Sequence, residues 1–152
     1  MNLNAILSDD YAAILDVAQV GPYFGVNGRE DYHFFFDELL VAEDIVWEDG
    51  DYAIADVHYD TPTVMLFHQG SVVGFYYDMM AWLDPEHRGN GLATKMIFAF
   101  ADHFGDDAFK EARIKADCAM GFSQEGYDLH VRALEMAREL SRTQAPNRTP
   151  AP

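Results

Sequence analysis

The stretch Leu83–Thr94, which reads Leu-Asp-Pro-Glu-His-Arg-Gly-Asn-Gly-Leu-Ala-Thr, carries most of the information about fold and function. An apolar run stops at Pro85, Arg88 follows, and a helix-like pattern begins after two glycines that flank one residue. Glycines permit positive φ angles and close approach, successive amides form an anion-binding concavity, and a following helix adds the positive end of its dipole. The stretch therefore predicts a phosphate-binding loop between a strand and a helix, with a purely structural tight turn as the alternative.

Arg88 favours the phosphate interpretation, because a guanidinium is a permanent cation whose geometry suits two phosphate oxygens at once. Two other kinds of phosphate loop are excluded by the sequence. The chain has neither the Gly-Lys-Ser/Thr of a P-loop nor the Gly-x-Gly-x-x-Gly of a dinucleotide-binding fold.

The composition predicts one globular domain. With 152 residues, 49% of them hydrophobic, the chain is long enough to bury a core without disulfide or metal support. We expect the domain to span residues 1–142 and a disordered tail to span 143–152. Cys118 is the only cysteine, which excludes an intrachain disulfide and favours a reducing compartment. No leader or long apolar run occurs, so we expect a cytoplasmic protein with no membrane partner.

The charge is strongly acidic, with 26 Asp and Glu against 10 Lys and Arg and a formal net charge of −16. Nucleic acid is not expected as a partner, because binding it depends on Lys and Arg that neutralise phosphates. A cationic acceptor such as an amine, a polyamine or a basic peptide would be attracted. The alternative is that the acidity serves only solubility or a salty environment.

Apolar residues at helical spacing predict four helices. The first is capped by Ser8 or Asp9 and ends before Gly21-Pro22, and the others span 29–41, 92–104 and 123–140. Strands are predicted at 52–57, 63–68, 72–77 and 80–83, where β-branched and aromatic residues are frequent. Segment 112–120 is predicted as a strand rather than a short helix. This order predicts an α+β fold in which helices pack on a sheet.

The loop pattern Arg88-x-x-Gly91-x-Ala93 resembles the acyl-CoA pyrophosphate loop of the GNAT (general N-acetyltransferase) superfamily, which reads Gln/Arg-x-x-Gly-x-Gly/Ala. The preceding segment 82–87, Trp-Leu-Asp-Pro-Glu-His, is similar to that family's entry from strand to loop. Segment 70–75, Gly-Ser-Val-Val-Gly-Phe, resembles its third-strand signature. Together these segments cover about a sixth of the chain, and their order and spacing are more specific than any one of them.

The resemblance implies an acyl-CoA-dependent N-acyltransferase with acetyl-CoA, or another acyl-CoA, as cofactor. It implies a GNAT-like mixed, mostly antiparallel central sheet with helices packed on both faces. The strand at 80–83 would splay from its neighbour and leave backbone groups free to pair with pantetheine. An amine acceptor would attack the thioester directly within a ternary complex. The residues implied in cofactor binding are Trp82, Leu83, Arg88, Gly89, Asn90, Gly91, Leu92, Ala93 and Thr94.

Three residues are candidates for proton transfer. Asp78 and Glu86 lie near the implied cleft and would accept the proton of the amine, although both also suit solvated turn positions and an ordered water suffices in many family members. Tyr127, with Ser123 behind it, is the candidate acid by resemblance to the family's helix tyrosine. The chain departs from the family here, because the usual Asn-x-x-Ala-x-x-x-Tyr followed by Gly-Phe is missing.

The remaining residues carry weaker signals. Six histidines show no metal-ligand spacing, so no metal is expected, and His130 is interpreted as a surface residue or as lining the acceptor cleft. Two other functions stay open: a non-catalytic acyl-CoA-binding regulatory module, and an acidic interaction protein that mimics nucleic acid. A homodimer is compatible with either.

Overall fold

Five short strands form one antiparallel sheet, and the helices fold against it. The computed structural model describes residues 1–21, 42–116 and 121–144. Its helices are α1 (Asp9–Val17), α2 (Leu92–Phe104), α3 (Lys110–Ala116) and α4 (Gln124–Gln144). Its strands are β1 (Gln19–Val20), β2 (Asp44–Asp49), β3 (Tyr52–Asp56), β4 (Thr63–His68), β5 (Ser71–Tyr77), β6 (Met80–Leu83) and β7 (Gly121–Phe122).

The strand order of the large sheet is β2-β3-β4-β5-β6, and every neighbouring pair is antiparallel. The two-residue strands β1 and β7 pair in parallel, apart from this sheet. The predicted α+β class is therefore confirmed. No helix within the three described ranges is both long and apolar enough to cross a membrane.

Side chains alternate across β4 and so divide the core between the two faces of the sheet. Val64 and Leu66 join the large cluster to which all four helices contribute, whereas Met65 and Phe67 belong to a smaller cluster on the opposite face. Each such fully buried apolar side chain contributes about 1.5–3 kcal/mol to folding. The helix predicted at 29–41 lies outside the described residues, and the four described helices share one cluster.

Two hairpins set the register of β4, β5 and β6. Gln69-Gly70 has φ angles of 50° and 85° and joins β4 to β5, as a two-residue turn with left-handed residues should. Asp78-Met79 repeats this conformation with φ angles of 49° and 59°, at a site where glycine or asparagine is usual. Lys115 of α3 bonds the Asp78 carboxylate, and the Met79 side chain is buried. These contacts hold a turn that its sequence alone does not favour.

The prediction of a strand at 112–120 was wrong over residues 112–116. Residues 110–116 form helix α3, and Ala112 in this helix and Phe109 just before it bury their side chains against the main cluster. Residues 117–120, with Cys118, lie outside the described residues. Packing of this segment against α1 and the core favours a helix over a strand.

Other boundaries also differ from the prediction. Strand β2 was not expected, because half of its sequence, Asp-Ile-Val-Trp-Glu-Asp, is acidic. Among the described strands it lies at the edge of the sheet, where only one of its faces needs to be apolar. Helix α4 runs to Gln144, so residues 143 and 144, which were expected in the tail, are helical. Arg142 pairs with Glu139 in its last turn, and Thr143 Oγ1 donates to the Leu140 carbonyl at 3.0 Å. Residues 145–152 lie outside the described residues.

Candidate functional site

A crevice of about 570 Å³ lies between β6 on one side and β7 with α4 on the other. Within the part of the chain that the structure describes, β6 pairs only with β5 and β7 pairs only with β1. Among the described residues no strand pairs with the side of β6 that faces the crevice, and we call this side its free edge. The crevice is lined by Met79, Met80, Ala81, Trp82, Leu83, Pro85, Arg88, Gly89, Gly91, Leu92, Ala93, Thr94, Gly121, Phe122, Ser123, Glu125, Gly126, Leu129 and Arg132.

The backbone of the predicted loop opens onto this crevice. Gly89 and Gly91 have φ angles of 87° and 75°, and a Cβ atom on either would meet nothing within 4 Å. Gly91 is the N-cap of α2 and has no side chain that accepts from the first turn. The first N–H groups of a helix have no partner within the helix. The amides of Leu92, Ala93 and Thr94 therefore lie at the crevice wall with no partner within the helix, an arrangement that suits an anion.

Arg88 is held at the mouth of the crevice by two contacts. Its Nε donates to the Leu83 carbonyl at 2.7 Å, and its guanidinium carbon lies 4.7 Å from the centroid of the Trp82 ring. Among the described residues no carboxylate pairs with Arg88, although the chain is strongly acidic. The guanidinium thus keeps its two terminal amino groups for a ligand while its orientation is fixed.

Strand alternation determines which backbone groups of β6 face the crevice. The Asp84 N–H donates to the Val73 carbonyl at 2.8 Å, so alternate residues of β6 bond to β5. The N–H and C=O groups of Ala81 and Leu83 therefore point to the free edge, where the Leu83 carbonyl already accepts from Arg88 Nε, whereas the groups of Trp82 point into the sheet. The sequence interpretation named Trp82 and Leu83, and it missed Ala81. The two-residue turn before β6 could have shown which residues of the strand face the crevice, because the turn sets the pairing register.

An aromatic cluster anchors the loop to the sheet. The Tyr52 hydroxyl lies 2.7 Å from His87 Nδ1, in the short 3₁₀ turn Pro85–His87 that precedes Arg88. The His68 ring packs against both, with ring centroids 4.6 Å from Tyr52 and 4.8 Å from His87. Three elements, β3, β4 and the turn, therefore meet directly behind the loop and restrict its position.

Helix α4 supplies the second wall of the crevice. Glu125, Leu129 and Arg132 lie on one face of the helix, at spacings of four and three residues. Ser123 Oγ accepts from the Gly126 N–H at 3.0 Å and caps the helix start. Glu125 and Arg132 were not singled out from the sequence. Their helical spacing with Leu129 is the sequence signal that could have grouped them.

The structure does not bring the three candidate proton-transfer residues to the crevice. Asp78 is ion-paired with Lys115 in the β5–β6 turn. The Glu86 side chain is 82% exposed and points to no crevice group. Tyr127 packs edge-on against Phe122, with centroids 6.2 Å apart, because it lies two positions from Glu125 and so on another helix face. Asn90 also lies outside the lining.

His130 is not a surface residue, and that expectation was wrong. It is fully buried behind the crevice wall, where burial lowers its pKa to about 4. Its Nδ1 lies 2.7 Å from the Gly126 carbonyl, which can only accept, so Nδ1 carries the proton of a neutral ring. Its Nε2 therefore accepts from the Tyr76 hydroxyl at 2.8 Å. The Tyr11 hydroxyl donates to the His130 carbonyl at 2.5 Å, which ties α1 and β5 to α4.

The crevice combines three kinds of recognition. It offers unpaired amides and a cation at the loop, strand-like backbone pairing along β6, and apolar side chains such as Leu92 and Leu129 between the walls. This combination suits an elongated ligand with an anionic group at one end and amide groups along its length. No protein-family profile, no curated protein and no solved structure matches the chain.

Proposed function

We propose that the protein is an acyl-CoA-dependent N-acyltransferase, with acetyl as the default acyl group and a primary amine, cationic amines included, as acceptor. The observation that carries the proposal is the continuity of the crevice. The unpaired amides of Leu92, Ala93 and Thr94 adjoin the free edge of β6 in one cavity. The resemblance of the loop to GNAT enzymes supports the same assignment, and the GNAT-specific arrangement of the sheet is part of this proposal.

Acyl-CoA would bind as an added strand. Its diphosphate would accept from the amides of the α2 N-terminus and from Arg88, where charge-assisted hydrogen bonds are strongest. The amide groups of pantetheine would pair with the backbone of Ala81 and Leu83, as an extended peptide does at a sheet edge. This pairing would fix the position of the thioester between β6 and α4, with its carbonyl polarised by a backbone N–H.

Acyl transfer requires a neutral amine that attacks the thioester carbonyl. The C–N bond forms and the C–S bond breaks, the amine loses a proton, and the leaving thiolate gains one. Within the described ranges Glu125 is the one carboxylate that lines the crevice, so we add it as the group that accepts the amine proton, directly or through water. Asp78, Glu86 and Tyr127 stay predictions from the sequence.

A non-catalytic acyl-CoA-binding module is the second candidate. The observation that favours it is the placement of Asp78, Glu86 and Tyr127 outside the crevice lining. Both candidates require acyl-CoA binding, and only the first requires turnover. Measuring thioester consumption with a panel of small amines, polyamines and basic peptides separates them, and a Glu125→Gln variant that binds normally but turns over slowly would support the enzyme.

Thermal denaturation with and without acetyl-CoA tests binding. A ligand that binds only the folded state stabilises it by about 2.7 kcal/mol at a concentration a hundredfold above Kd, so the Tm should rise. The double variant Arg88→Ala, Gly91→Glu removes the cation and places a carboxylate at the amides, and it should abolish the shift. Gly70→Glu is the matched control, because Gly70 has a similar positive φ, faces open space and lies away from the crevice. Unchanged affinity of the double variant in calorimetry would refute the assignment.

A further inference from the structure

A second polar cluster lies at the opposite end of α2 from the crevice, roughly 16 Å along the helix. Asp44 begins β2 and Asp56 ends β3, and the two residues are direct partners in the strand register. Like charges that face each other in this way destabilise a sheet. His58 follows Asp56 by two residues, and His103 lies in the last turn of α2. The fold therefore gathers two carboxylates and two imidazoles from four segments.

The imidazole of His58 lies between the two carboxylates. Its Nε2 is 3.2 Å from Asp44 Oδ2, and its Nδ1 is 3.7 Å from Asp56 Oδ2. One ligand atom from each of these three residues lies within 4.8 Å of the others. Ligand atoms bound to one tetrahedral zinc ion at about 2.0–2.1 Å are separated by about 3.3 Å. The three ligand atoms therefore lie near enough for small side-chain movements to bring them onto one cation.

His103 fixes the orientation of the Asp56 carboxylate. Its Nε2 lies 2.8 Å from Asp56 Oδ2 and must donate, because a carboxylate only accepts. The other oxygen, Oδ1, accepts from the His58 backbone N–H at 2.7 Å. The Asp56 side chain is only 11% exposed, so these bonds restrict it strongly. In metal sites, hydrogen-bonding groups that do not touch the metal orient its ligands in the same way.

We propose that Asp44, Asp56 and His58 bind a divalent transition-metal ion, with zinc preferred, and that His103 is a positioning residue for Asp56. A mixed nitrogen and oxygen set suits zinc or manganese, whereas Ca²⁺ takes six to eight oxygen ligands. Water completes the coordination, because the Asp44 and His58 side chains are 47% and 69% exposed. The ion offsets the repulsion between the facing carboxylates and links the edge strand β2 to β3.

Zinc titration of the full chain, stripped of metal with a chelator, tests the site. Calorimetry with zinc chloride should show one site, and zinc should raise the Tm. Asp44→Asn and His58→Asn should each lower zinc affinity by more than tenfold. Asparagine is chosen at position 58 because it tolerates the observed φ of 58°. Glu48→Gln, which changes another exposed carboxylate of β2, is the matched control and should bind zinc normally.

Three results would overturn the proposal. They are the absence of both zinc heat and a Tm shift, zinc binding that both asparagine variants leave unchanged, and tighter binding of Ca²⁺ than of zinc. Circular dichroism verifies that each variant is folded. Acetyl-CoA binding should be the same in His58→Asn and in the unaltered chain, because the cluster and the crevice lie at opposite ends of α2.

Discussion

His130 shows how one buried residue couples the site to the stability of the whole chain. The neutral ring accepts from Tyr76 and donates to the Gly126 carbonyl, and its own carbonyl accepts from Tyr11. Burial raises the pKa of both tyrosine hydroxyls above the ordinary value, so they stay protonated donors. The position of α4, and with it the wall of the crevice, depends on this network. A protonated imidazole cannot maintain this hydrogen-bond network, because Nε2 would then carry a proton and could not accept from the Tyr76 hydroxyl.

The lowered pKa of His130, about 4, predicts a specific pH dependence. His130 takes up a proton near pH 6.5 in the unfolded chain and only near pH 4 in the folded chain. The contribution of the neutral ring to the free energy of unfolding is therefore fully present above about pH 6.5 and is lost as the pH falls from 6.5 toward 4. The loss approaches about 3 kcal/mol by pH 4. Urea unfolding of the unaltered chain and of His130→Gln measures it: the stability gap between them should shrink by this amount from pH 7 to pH 4. A constant gap would contradict the prediction.

At the scale of elements, the β5–β6 hairpin decides the geometry of the crevice. Gly74 of β5 faces Leu83 of β6, and a Cβ atom at Gly74 would lie 2.7 Å from the Trp82 carbonyl oxygen. Atoms do not approach so closely without a backbone shift, because the interior is close-packed. Glycine at this position therefore allows β6 to approach β5 while its other edge stays free.

Gly74→Ala should consequently displace β6. It should lower the free energy of unfolding by more than the same substitution at a glycine with positive φ and open surroundings. We expect a loss of about 2–3 kcal/mol, typical of overpacking, together with weaker acetyl-CoA binding. Gly70→Ala is the matched control: its φ is 85° but its surroundings are open, so it should cost only about 1–2 kcal/mol of backbone strain and leave binding unchanged. Chemical unfolding and calorimetry measure both effects. Equal losses in the two variants would show that the close contact at Gly74 does not matter.

At the scale of the whole molecule, charge opposes folding. The net charge of −16 makes carboxylates repel one another throughout the surface, and Asp44 facing Asp56 is a local example. Two of the few cations, Arg88 and Arg132, lie at the crevice instead of in surface ion pairs with described residues. These two cations reduce the repulsion that an anionic ligand would meet at the crevice.

This imbalance predicts that salt stabilises the protein. The screening length falls from about 30 Å at 0.01 M to about 3 Å at 1 M ionic strength, so the Tm at pH 7 should rise by several degrees over this range in sodium chloride. At pH 4 many carboxylates are protonated and the rise should be smaller. Scanning calorimetry at both pH values provides the test. A Tm at pH 7 that falls with salt would show that repulsion between carboxylates does not dominate the effect of salt on stability.

The sequence by itself determined the local elements: β4 and β6 within their predicted limits, the Ser8 cap of α1, and a glycine loop followed by a helix. These depend on neighbours in the chain, where periodicity and turn chemistry act directly. The strand prediction failed over residues 112–116, because packing against α1 and the core stabilises a helix there. The tertiary structure alone decided the pairing of β1 with β7, the burial of His130, the crevice face of α4, and the meeting of Asp44, Asp56 and His103. All of these join segments distant in the chain, so no local pattern contains them.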